Sequence, residues 1–234
     1  MKRGQADDQA AEPERLVRTR KRVADHGEVF TPKWLVSDMV DLVGDEAERV
    51  DSRFLEPACG SGNFLVEVLE RRLSAVRRTH PRSQFERSQA SLLGLMCLYG
   101  IELLPDNVAE CRTNLLQVFA TALHLSTDDE LARAARAVLE VNIVQGDALA
   151  MTDANGHPLV LPEWAYLGRG RFQRRDFAYR ELTQRSLSAG TLFDVFDDDA
   201  LFAPERTWPV LKVSDIADLA TPASSATNIS HADK

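Results

Sequence analysis

The glycine-containing segment at residues 56–64 constrains the fold more than any other part of the chain. It reads Glu-Pro-Ala-Cys-Gly-Ser-Gly-Asn-Phe, with an apolar pair before it and an amphipathic helical pattern after it. A strand, a glycine turn and a helix in that order bring unpaired backbone N–H groups close to a ligand, because glycine has no Cβ to hold the ligand away. The dinucleotide fingerprint requires a third glycine where this chain has Leu65. Because Glu56 would also repel a phosphate, the segment favours a ligand with a cationic or hydroxyl-rich portion.

The first 150 residues alternate between apolar strand patterns and amphipathic helical patterns. They predict strands at 53–59, 99–103 and 142–149. They also predict helices at 31–44, 63–78, 83–97, 106–125 and 128–140. Strands that alternate with helices of this length indicate an α/β fold with a doubly wound, Rossmann-like parallel sheet. Two acidic residues, Glu102 and Asp147, then stand at the carboxyl ends of predicted strands.

The pattern changes after residue 150. Asn155 and Gly156 favour a hairpin turn between short β-prone pieces around 149–151 and 159–161. An arginine-rich stretch, an acidic run and a polar tail follow. We therefore predict a flexible or loosely helical charged arm at 1–22 and a ligand-binding domain at 23–150. An irregular C-terminal extension at 151–220 and a disordered tail at 221–234 complete the prediction.

Composition excludes several classes of protein. Hydrophobic residues make up 44% of the chain and charged residues 27%, as in ordinary globular proteins. No apolar run reaches the roughly 18 residues that a membrane span needs, and the N-terminus lacks the apolar core of a secretion signal. The three widely spaced cysteines indicate reduced thiols, and the five histidines are too scattered to pair on a metal. We expect a cytoplasmic protein without membrane contact or metal.

Residues 56–64 resemble motif I of S-adenosylmethionine-dependent DNA methyltransferases, in particular the adenine-specific subunits of restriction–modification systems. Upstream, residues 27–32 read Gly-Glu-Val-Phe-Thr-Pro and resemble the segment that precedes motif I in that family. Downstream, residues 100–103 and 142–149 resemble the second and third motifs. The four motifs stand in family order over roughly residues 22–150, so the resemblance is to the N-terminal, cofactor-binding part of such enzymes.

The resemblance implies S-adenosyl-L-methionine as the cofactor and assigns roles to individual residues. Glu102 would accept hydrogen bonds from the ribose hydroxyls, although a surface glutamate is the alternative. Asp147 would accept from the adenine amine, or else cap a turn. Thr31 would contact the methionine carboxylate, or else cap the following helix. The full set of implied cofactor-binding residues is Phe30, Thr31, Glu56, Ala58, Cys59, Gly60, Gly62, Asn63, Glu102, Asp147 and Ala148.

The family's acceptor motif is absent from the chain. Amino-methylating members carry Asn, Asp or Ser followed by Pro-Pro and an aromatic residue, which hold the target amine and stack on the flipped base. None of the ten prolines follows Asn, Asp or Ser, and no two prolines are adjacent. Residues 192–197 resemble the approach to this motif, but the following acidic run lacks both proline and an aromatic residue. The catalytic residues therefore stay unknown.

The charge distribution bears on how DNA could be held. The net charge of −8 opposes DNA binding by the chain alone. The arginine-rich stretch, with aromatic residues interleaved, is the candidate surface for nucleic acid or a partner, and a solvated basic face is the alternative. The candidate contact residues there are Arg171, Arg174 and Arg175.

The motifs and the missing acceptor segment lead to two functional hypotheses. The first is a DNA methyltransferase subunit, adenine-specific, that works in a restriction–modification or phage-defence system. It would need a second methyltransferase or specificity subunit to supply the acceptor motif. The second is a catalytically inactive module that binds the cofactor or a partner and regulates such a system. Methylation of protein or a small molecule is a third possibility that the upstream motif disfavours.

Overall fold

The computed structural model describes residues 31–188 and 203–220. Its elements, in chain order, are α1 (Lys33–Asp41), a 3-10 helix (Gly44–Ala47), β1 (Phe54–Glu56), α2 (Asn63–Thr79), α3 (Gln84–Met96), β2 (Leu98–Glu102), α4 (Pro105–Leu123), α5 (Glu130–Asn142), β3 (Ile143–Asp147), β4 (Thr152–Asp153), β5 (Val160–Tyr166), β6 (Arg171–Ala178), α6 (Tyr179–Ser188), β7 (Arg206–Thr207), β8 (Leu211–Lys212) and α7 (Val213–Ala217).

The first sheet has the order β1-β2-β3-β4. Strands β1, β2 and β3 are parallel, and β4 pairs antiparallel with β3. Each parallel connection contains two helices, α2 and α3 in the first and α4 and α5 in the second. Because the parallel strands point the same way, their carboxyl ends meet at one edge of the sheet, where Glu56, Glu102 and Asp147 end their strands.

The two faces of this sheet are covered by different parts of the chain. Strand β2 is buried along its whole length. Leu98 belongs to the main core, which the inward faces of the helices supply. Ile101 points to the opposite face and packs in a second cluster with Leu159, Leu161 and Tyr179. Residues beyond 150 therefore cover the face that the helices of the two crossovers leave open.

A second, antiparallel sheet is centred on β6, which pairs with β5, β7 and β8. Its β5–β6 hairpin turns through Gly168, Arg169 and Gly170, all of which have positive φ angles. Trp164 and Phe172 of this hairpin lie in the same core as the crossover helices. The two sheets therefore share one hydrophobic interior.

Polar contacts fix the hairpin against the amino ends of the parallel strands. The Trp164 indole N–H donates to Asn142 Oδ1 over 3.0 Å, and Asn142 Nδ2 donates to the carbonyls of Met96 and Leu98 over 2.9 Å each. Arg53, just before β1, forms an ion pair of 2.7 Å with Glu163 of β5. These bonds satisfy polar groups that burial would otherwise leave unpaired.

Most of the predicted elements are confirmed, and the predictions for residues 149–220 need correction. The predicted strands and helices of the first 150 residues are present, with ends shifted by a few residues. Residues 151–220 are not irregular where the structure describes them, because they form the second sheet, α6 and α7. The β-prone piece at 149–151 is a turn, and the hairpin turn at Gly156 leads only into the two-residue strand β4. Phe85 of α3 is 56% exposed.

The doubly wound arrangement is not confirmed. Within the described residues the parallel strands follow one another in a single direction, β1 to β2 to β3, with no reversal of the strand order. The arrangement is an α/β sheet with three parallel strands and one antiparallel strand. Among residues 31–188 and 203–220, none of the helices is long and apolar enough to cross a membrane.

Candidate cofactor site

The glycine loop leaves β1 and turns back over the carboxyl end of β2. The Cys59 N–H donates to the Ile101 carbonyl over 3.1 Å, and the Gly62 N–H donates to the Cys59 carbonyl over 2.8 Å. Gly60 and Gly62 have φ angles of +52° and +91°, which favour glycine. Gly62 is the N-cap residue of α2, and a Cβ on it would lie 2.6 Å from Cys111 Sγ. Both the left-handed backbone conformation and the close contact with Cys111 therefore require glycine at position 62.

Glu102 joins this loop to the end of β2. Its Oε2 accepts from the Gly60 N–H over 2.9 Å, and its Oε1 accepts from the N–H of Leu104, the N-cap residue of α4, over 3.0 Å. Glu102 is buried, so the alternative of a surface glutamate is wrong. A carboxylate has about four lone pairs. Because Oε1 also accepts from Asn107 Nδ2 over 3.5 Å, the acceptor capacity left for a ligand hydroxyl is on Oε2.

Asp147 ends the neighbouring strand and stabilises the turn that follows. Its Oδ1 accepts from the backbone N–H groups of Leu149 and Ala150 over 2.8 and 2.9 Å. The turn-capping alternative is therefore present in the structure. Both bonds use the same oxygen, so capping the turn does not occupy Oδ2 and is compatible with a ligand role. Asp147 lies two residues beyond Gln145, which pairs in register with Glu102.

A small cavity of about 120 Å³ opens beside the glycine loop. Ligand sites for whole small molecules usually measure about 300–1,000 Å³, so this cavity matches one end of an elongated ligand. Its lining brings together six of the predicted cofactor residues, Thr31, Glu56, Ala58, Cys59, Gly60 and Asn63. The sequence reasoning missed four further lining residues, Val36, Met39, Ser61 and Phe64.

The other predicted cofactor residues do not line this cavity. Gly62 packs against Cys111, and Glu102 reaches the loop through the Gly60 N–H. Asp147 and Ala148 lie at the end of β3, on the same edge of the sheet. Phe30 lies outside the described residues. A larger cavity, of about 770 Å³, lies elsewhere, beside residues such as Phe85 of α3, and none of the described cofactor candidates is in its lining.

Thr31 is tied to the loop through its backbone. Asn63 Nδ2 donates to the Thr31 carbonyl over 3.3 Å, and Asn114 Nδ2 donates to the Ser61 carbonyl over 3.0 Å. The N-cap residue of α1 is Pro32, and no side chain caps that helix end. The alternative that Thr31 caps the helix is therefore wrong. Thr31 still lines the cavity.

Two ionisable groups in the cavity have shifted pKa values. Burial raises the pKa of Glu56, and a hydrogen bond from the Ala58 N–H opposes part of that rise. A hydrogen bond with Cys111, together with burial, raises the pKa of the Cys59 thiol. Cys59 is therefore protonated at neutral pH and is a packing residue rather than a nucleophile.

The three candidate arginines on β6 have different surroundings. The Arg174 side chain is only 12% exposed, bonds Asp176 over 2.7 Å, and packs on the rings of Trp164 and Trp208. Arg175 binds Glu163 and stays half exposed. Arg171, at the start of the strand, is exposed. Arg171 and Arg175 are therefore more accessible to a binding partner than Arg174.

The comparisons with known proteins agree with these motifs. A family model described as N-6 DNA methylase matches residues 16–142, which is more than half of the chain and includes the glycine loop and Glu102. The comparisons with curated proteins and with solved structures gave no match. N-6 DNA methylases use S-adenosyl-L-methionine as the methyl donor. The chain belongs to the N-6 DNA methylase family.

Proposed function

We propose that this chain is the S-adenosylmethionine-binding subunit of a two-chain, adenine-specific DNA methyltransferase in a restriction–modification or phage-defence system. The observation that carries the proposal is the convergence of the glycine loop and Glu102 through the bond from the Gly60 N–H, 2.9 Å long. That bond holds a hydroxyl acceptor beside a loop whose backbone a ligand can approach closely. The family match gives this arrangement its methyltransferase context.

The geometry suggests how the cofactor would lie. The small cavity would take the methionine end, where Glu56 offers a carboxylate for the cationic amino group and Thr31 a hydroxyl for the carboxylate. Glu102 would accept from the ribose hydroxyls, and Asp147 Oδ2 from the adenine amine. Placed in this order, the sulfonium would lie over the loop at Ala58.

We propose that the acceptor motif is supplied by another chain, because no proline in the given sequence stands in such a motif. The partner would hold the target amine and stack an aromatic ring on the extruded adenine. It would also supply most of the DNA contact, because the net charge of this chain is −8. Arg171 and Arg175 are the residues of this chain that we propose for phosphate or partner contact. The three cysteines are free and buried, which is compatible with the cytoplasmic location that we propose.

Calorimetry with S-adenosylmethionine tests the site directly. We expect Asp147→Asn to weaken binding about tenfold, because it keeps Oδ1 for the turn while placing a donor where the adenine amine needs an acceptor. We expect Glu102→Ala to weaken binding more, since it also releases the loop. Glu70→Ala, an exposed acid on α2, is the matched control and should leave the affinity unchanged. Wild-type affinity in both site variants would refute the proposed site.

Methyl transfer separates the proposal from its main alternative, a regulatory module without catalysis. Tritiated methyl transfer to DNA should require both this chain and a second chain that carries the acceptor motif. Cofactor binding without transfer in every such reconstitution would favour the regulatory module. The missing acceptor motif is the observation that keeps this alternative open.

A further inference from the structure

A further cavity lies between the carboxyl ends of α2 and α4 and the amino-terminal part of α3, and we call it the helix-end cavity. It measures about 570 Å³, within the range of about 300–1,000 Å³ for small-molecule sites. Arg77 of α2 lines it, whereas Asn63, the first residue of the same helix, lines the cavity at the glycine loop. The 14 positions between the two residues correspond to about 21 Å along the helix, at about 1.5 Å per residue. The helix-end cavity is therefore distinct from the candidate cofactor site.

Part of the lining of the helix-end cavity is apolar. Leu73 and Val76 of α2 are buried, and Leu123 and Leu125 at the end of α4 are half-buried. Both leucines of the α4 end pack against the main core, to which Leu73 belongs. An apolar group that enters the cavity would therefore leave water for a surface continuous with the core, which favours its binding.

The charged groups in this lining are both cationic, and none of the described lining residues is acidic. Arg77 is exposed and forms no ion pair with a described residue. Arg87 of α3 uses Nη1 to donate to the carbonyls of His80 and Pro81 over 2.9 Å each. Its Nε and Nη2 make no such bond within residues 31–188 and 203–220. Two guanidinium groups with unused donors favour an anionic group such as a carboxylate, sulfonate or phosphate.

A buried hydroxyl in the lining has no hydrogen-bond partner among the described residues. Ser91 of α3 is 2% exposed, and its Oγ bonds none of them. A serine inside a helix commonly donates to the carbonyl one turn earlier, and Ser91 does not. Its Oγ therefore keeps both its donor and its acceptor capacity. Since an unpaired buried hydroxyl is costly, a ligand oxygen in the cavity would gain a ready partner there.

The larger cavity, of about 770 Å³, adjoins the helix-end cavity. The two cavities share the lining residues Gln84, Ser88, Leu123, His124 and Leu125. The larger one carries the acids Asp129 and Glu130 as well as the cations Arg169 and Lys212, so its charge is mixed. It also contains an unpartnered acceptor, the buried Gln89 Oε1. The contrast in charge assigns an anionic group to the helix-end cavity and leaves the larger cavity for the rest of a longer molecule.

We propose that the helix-end cavity binds a small organic anion, in which a carboxylate, sulfonate or phosphate group is attached to an apolar or aromatic body. Arg77 and Arg87 bind the anionic group, and Ser91 Oγ donates to one of its oxygens. Leu73 and Val76 pack on the apolar body. A DNA phosphate would also be attracted to Arg77, but a duplex is too wide to reach a buried hydroxyl inside a cavity of this size. The site uses no residue of the glycine loop, so it is independent of the proposed methyltransferase function.

The probe is 8-anilinonaphthalene-1-sulfonate, an aromatic sulfonate whose fluorescence rises when it binds apolar surface. Titration into the full chain should show saturable binding. Arg77→Gln should weaken that binding about tenfold, because it removes a charge-assisted contact with the sulfonate. Arg78→Gln is the matched control and should bind like the wild type. Arg78 is the next residue of the same helix, is exposed, pairs with Glu48 and does not line the cavity.

Ser91→Ala separates contact with the ligand from damage to the fold. It removes a hydroxyl that has no described partner, so the thermal unfolding midpoint should not fall. Binding of the probe should nevertheless weaken about threefold to tenfold, because one hydrogen bond to the sulfonate is lost. A lower unfolding midpoint together with unchanged probe binding would show that Ser91 has a structural role only, and it would overturn the proposed contact.

Competition with the bound probe identifies the class of ligand. Octanoate, which joins a carboxylate to an apolar chain, should displace the probe, whereas inorganic phosphate at the same concentration should not. Displacement by phosphate as effective as by octanoate would overturn the organic part of the proposal. Displacement by S-adenosylmethionine would place the probe in the cofactor site, and displacement by a short DNA duplex would place Arg77 on a nucleic-acid surface. Either result overturns the proposal.

Two further outcomes also contradict the proposed site. The first is the absence of saturable probe binding to the wild type, and the second is an equal loss of binding in Arg77→Gln and Arg78→Gln. Calorimetry with S-adenosylmethionine on Arg77→Gln should give the wild-type affinity, because the two cavities are distinct. Failure of the wild type to bind S-adenosylmethionine would refute the cofactor site alone. Weaker probe binding in Arg77→Gln and Ser91→Ala, with displacement by octanoate, supports the proposal.

Discussion

Replacement of Gly62 by alanine tests whether the glycine loop is held by packing as well as by backbone conformation. Gly62 has a φ angle of +91°, and its added Cβ would lie 2.6 Å from Cys111 Sγ and 3.4 Å from Cys111 Cβ. Gly60 has a φ angle of +52°, and an added Cβ there would meet no other atom within 4 Å. A comparison of Gly60→Ala with Gly62→Ala therefore separates the cost of backbone strain from the cost of the contact with Cys111.

The expected magnitudes follow from these contacts. A left-handed backbone costs an L-residue about 1–2 kcal/mol, so Gly60→Ala should lower the free energy of unfolding by that amount. Overpacking a buried site adds about 1–3 kcal/mol, so Gly62→Ala should cost about 2–5 kcal/mol in total. Cys111→Ala removes the colliding sulfur and leaves only an ordinary contact at Cβ. The double variant should therefore be more stable than additivity predicts by about 1–3 kcal/mol.

Urea unfolding monitored by circular dichroism measures all four variants against the wild type. The m value should stay constant, so that midpoint shifts report stability alone. Equal losses at Gly60 and Gly62, or strictly additive losses for Gly62→Ala and Cys111→Ala, would refute the packing argument. Calorimetric titration with S-adenosylmethionine on the same samples shows whether the loop must keep its shape to bind the ligand.

Three further predictions concern ionisable groups. Affinity for S-adenosylmethionine should fall as the pH is lowered through the pKa of Glu56, which burial raises above 4.5. The reason is that the protonated acid loses its attraction for the amino group of the ligand. Calorimetry on Glu56→Gln should show no such pH dependence. Arg72→Ala should cost about 3–5 kcal/mol in urea unfolding, because it leaves the carbonyls of Gly94 and Ser52 without their buried donor, and a loss below about 1 kcal/mol would contradict this. Ellman's reagent should react slowly with all three buried cysteines of the native chain and completely in guanidinium, whereas rapid labelling of any native thiol would refute the burial.

The parallel half of the fold could be predicted because its signals are local. The glycines at 60 and 62 fix a turn, and apolar runs bounded by helices give the strands around it. One boundary differs for a tertiary reason. The sequence pattern places Asn142 in the third strand, but it ends α5 because its amide bonds the carbonyls of Met96 and Leu98. Hydrogen bonds between residues more than 40 positions apart leave no pattern in the local sequence.

The second sheet could not be predicted for the same reason. Strand β5 contains Pro162 and the buried Glu163, both of which argue against a strand when only neighbouring residues are considered. Glu163 is tolerated because Arg53 and Arg175 pair with it. The sequence predicts Arg174 on a contact surface, but it bonds Asp176 and packs on aromatic rings, one of them 34 residues further along the chain.

The candidate site shows the same division between local and tertiary information. Glu102 and the loop residues are identifiable as motif members, and the structure joins them through the Gly60 N–H. Met39 belongs to no motif, yet it lines the cavity, because the register of α1 against the loop depends on packing. The hydrogen bond between the Cys59 and Cys111 thiols likewise could not be predicted, because 52 positions separate the two residues in the sequence.

The difference between a sheet face and a sheet edge explains which parts of the parallel sheet have to be covered by other residues. An uncovered face would expose apolar side chains to water, at about 25 cal/mol per Å². Here Leu159, Leu161 and Tyr179 cover Ile101, so that cost does not arise. An uncovered edge exposes backbone groups that water can hydrogen-bond, at little cost in free energy. Among the described residues, the side chains that follow β3 therefore cover this face of the sheet, whereas water can satisfy the backbone groups of an open strand edge.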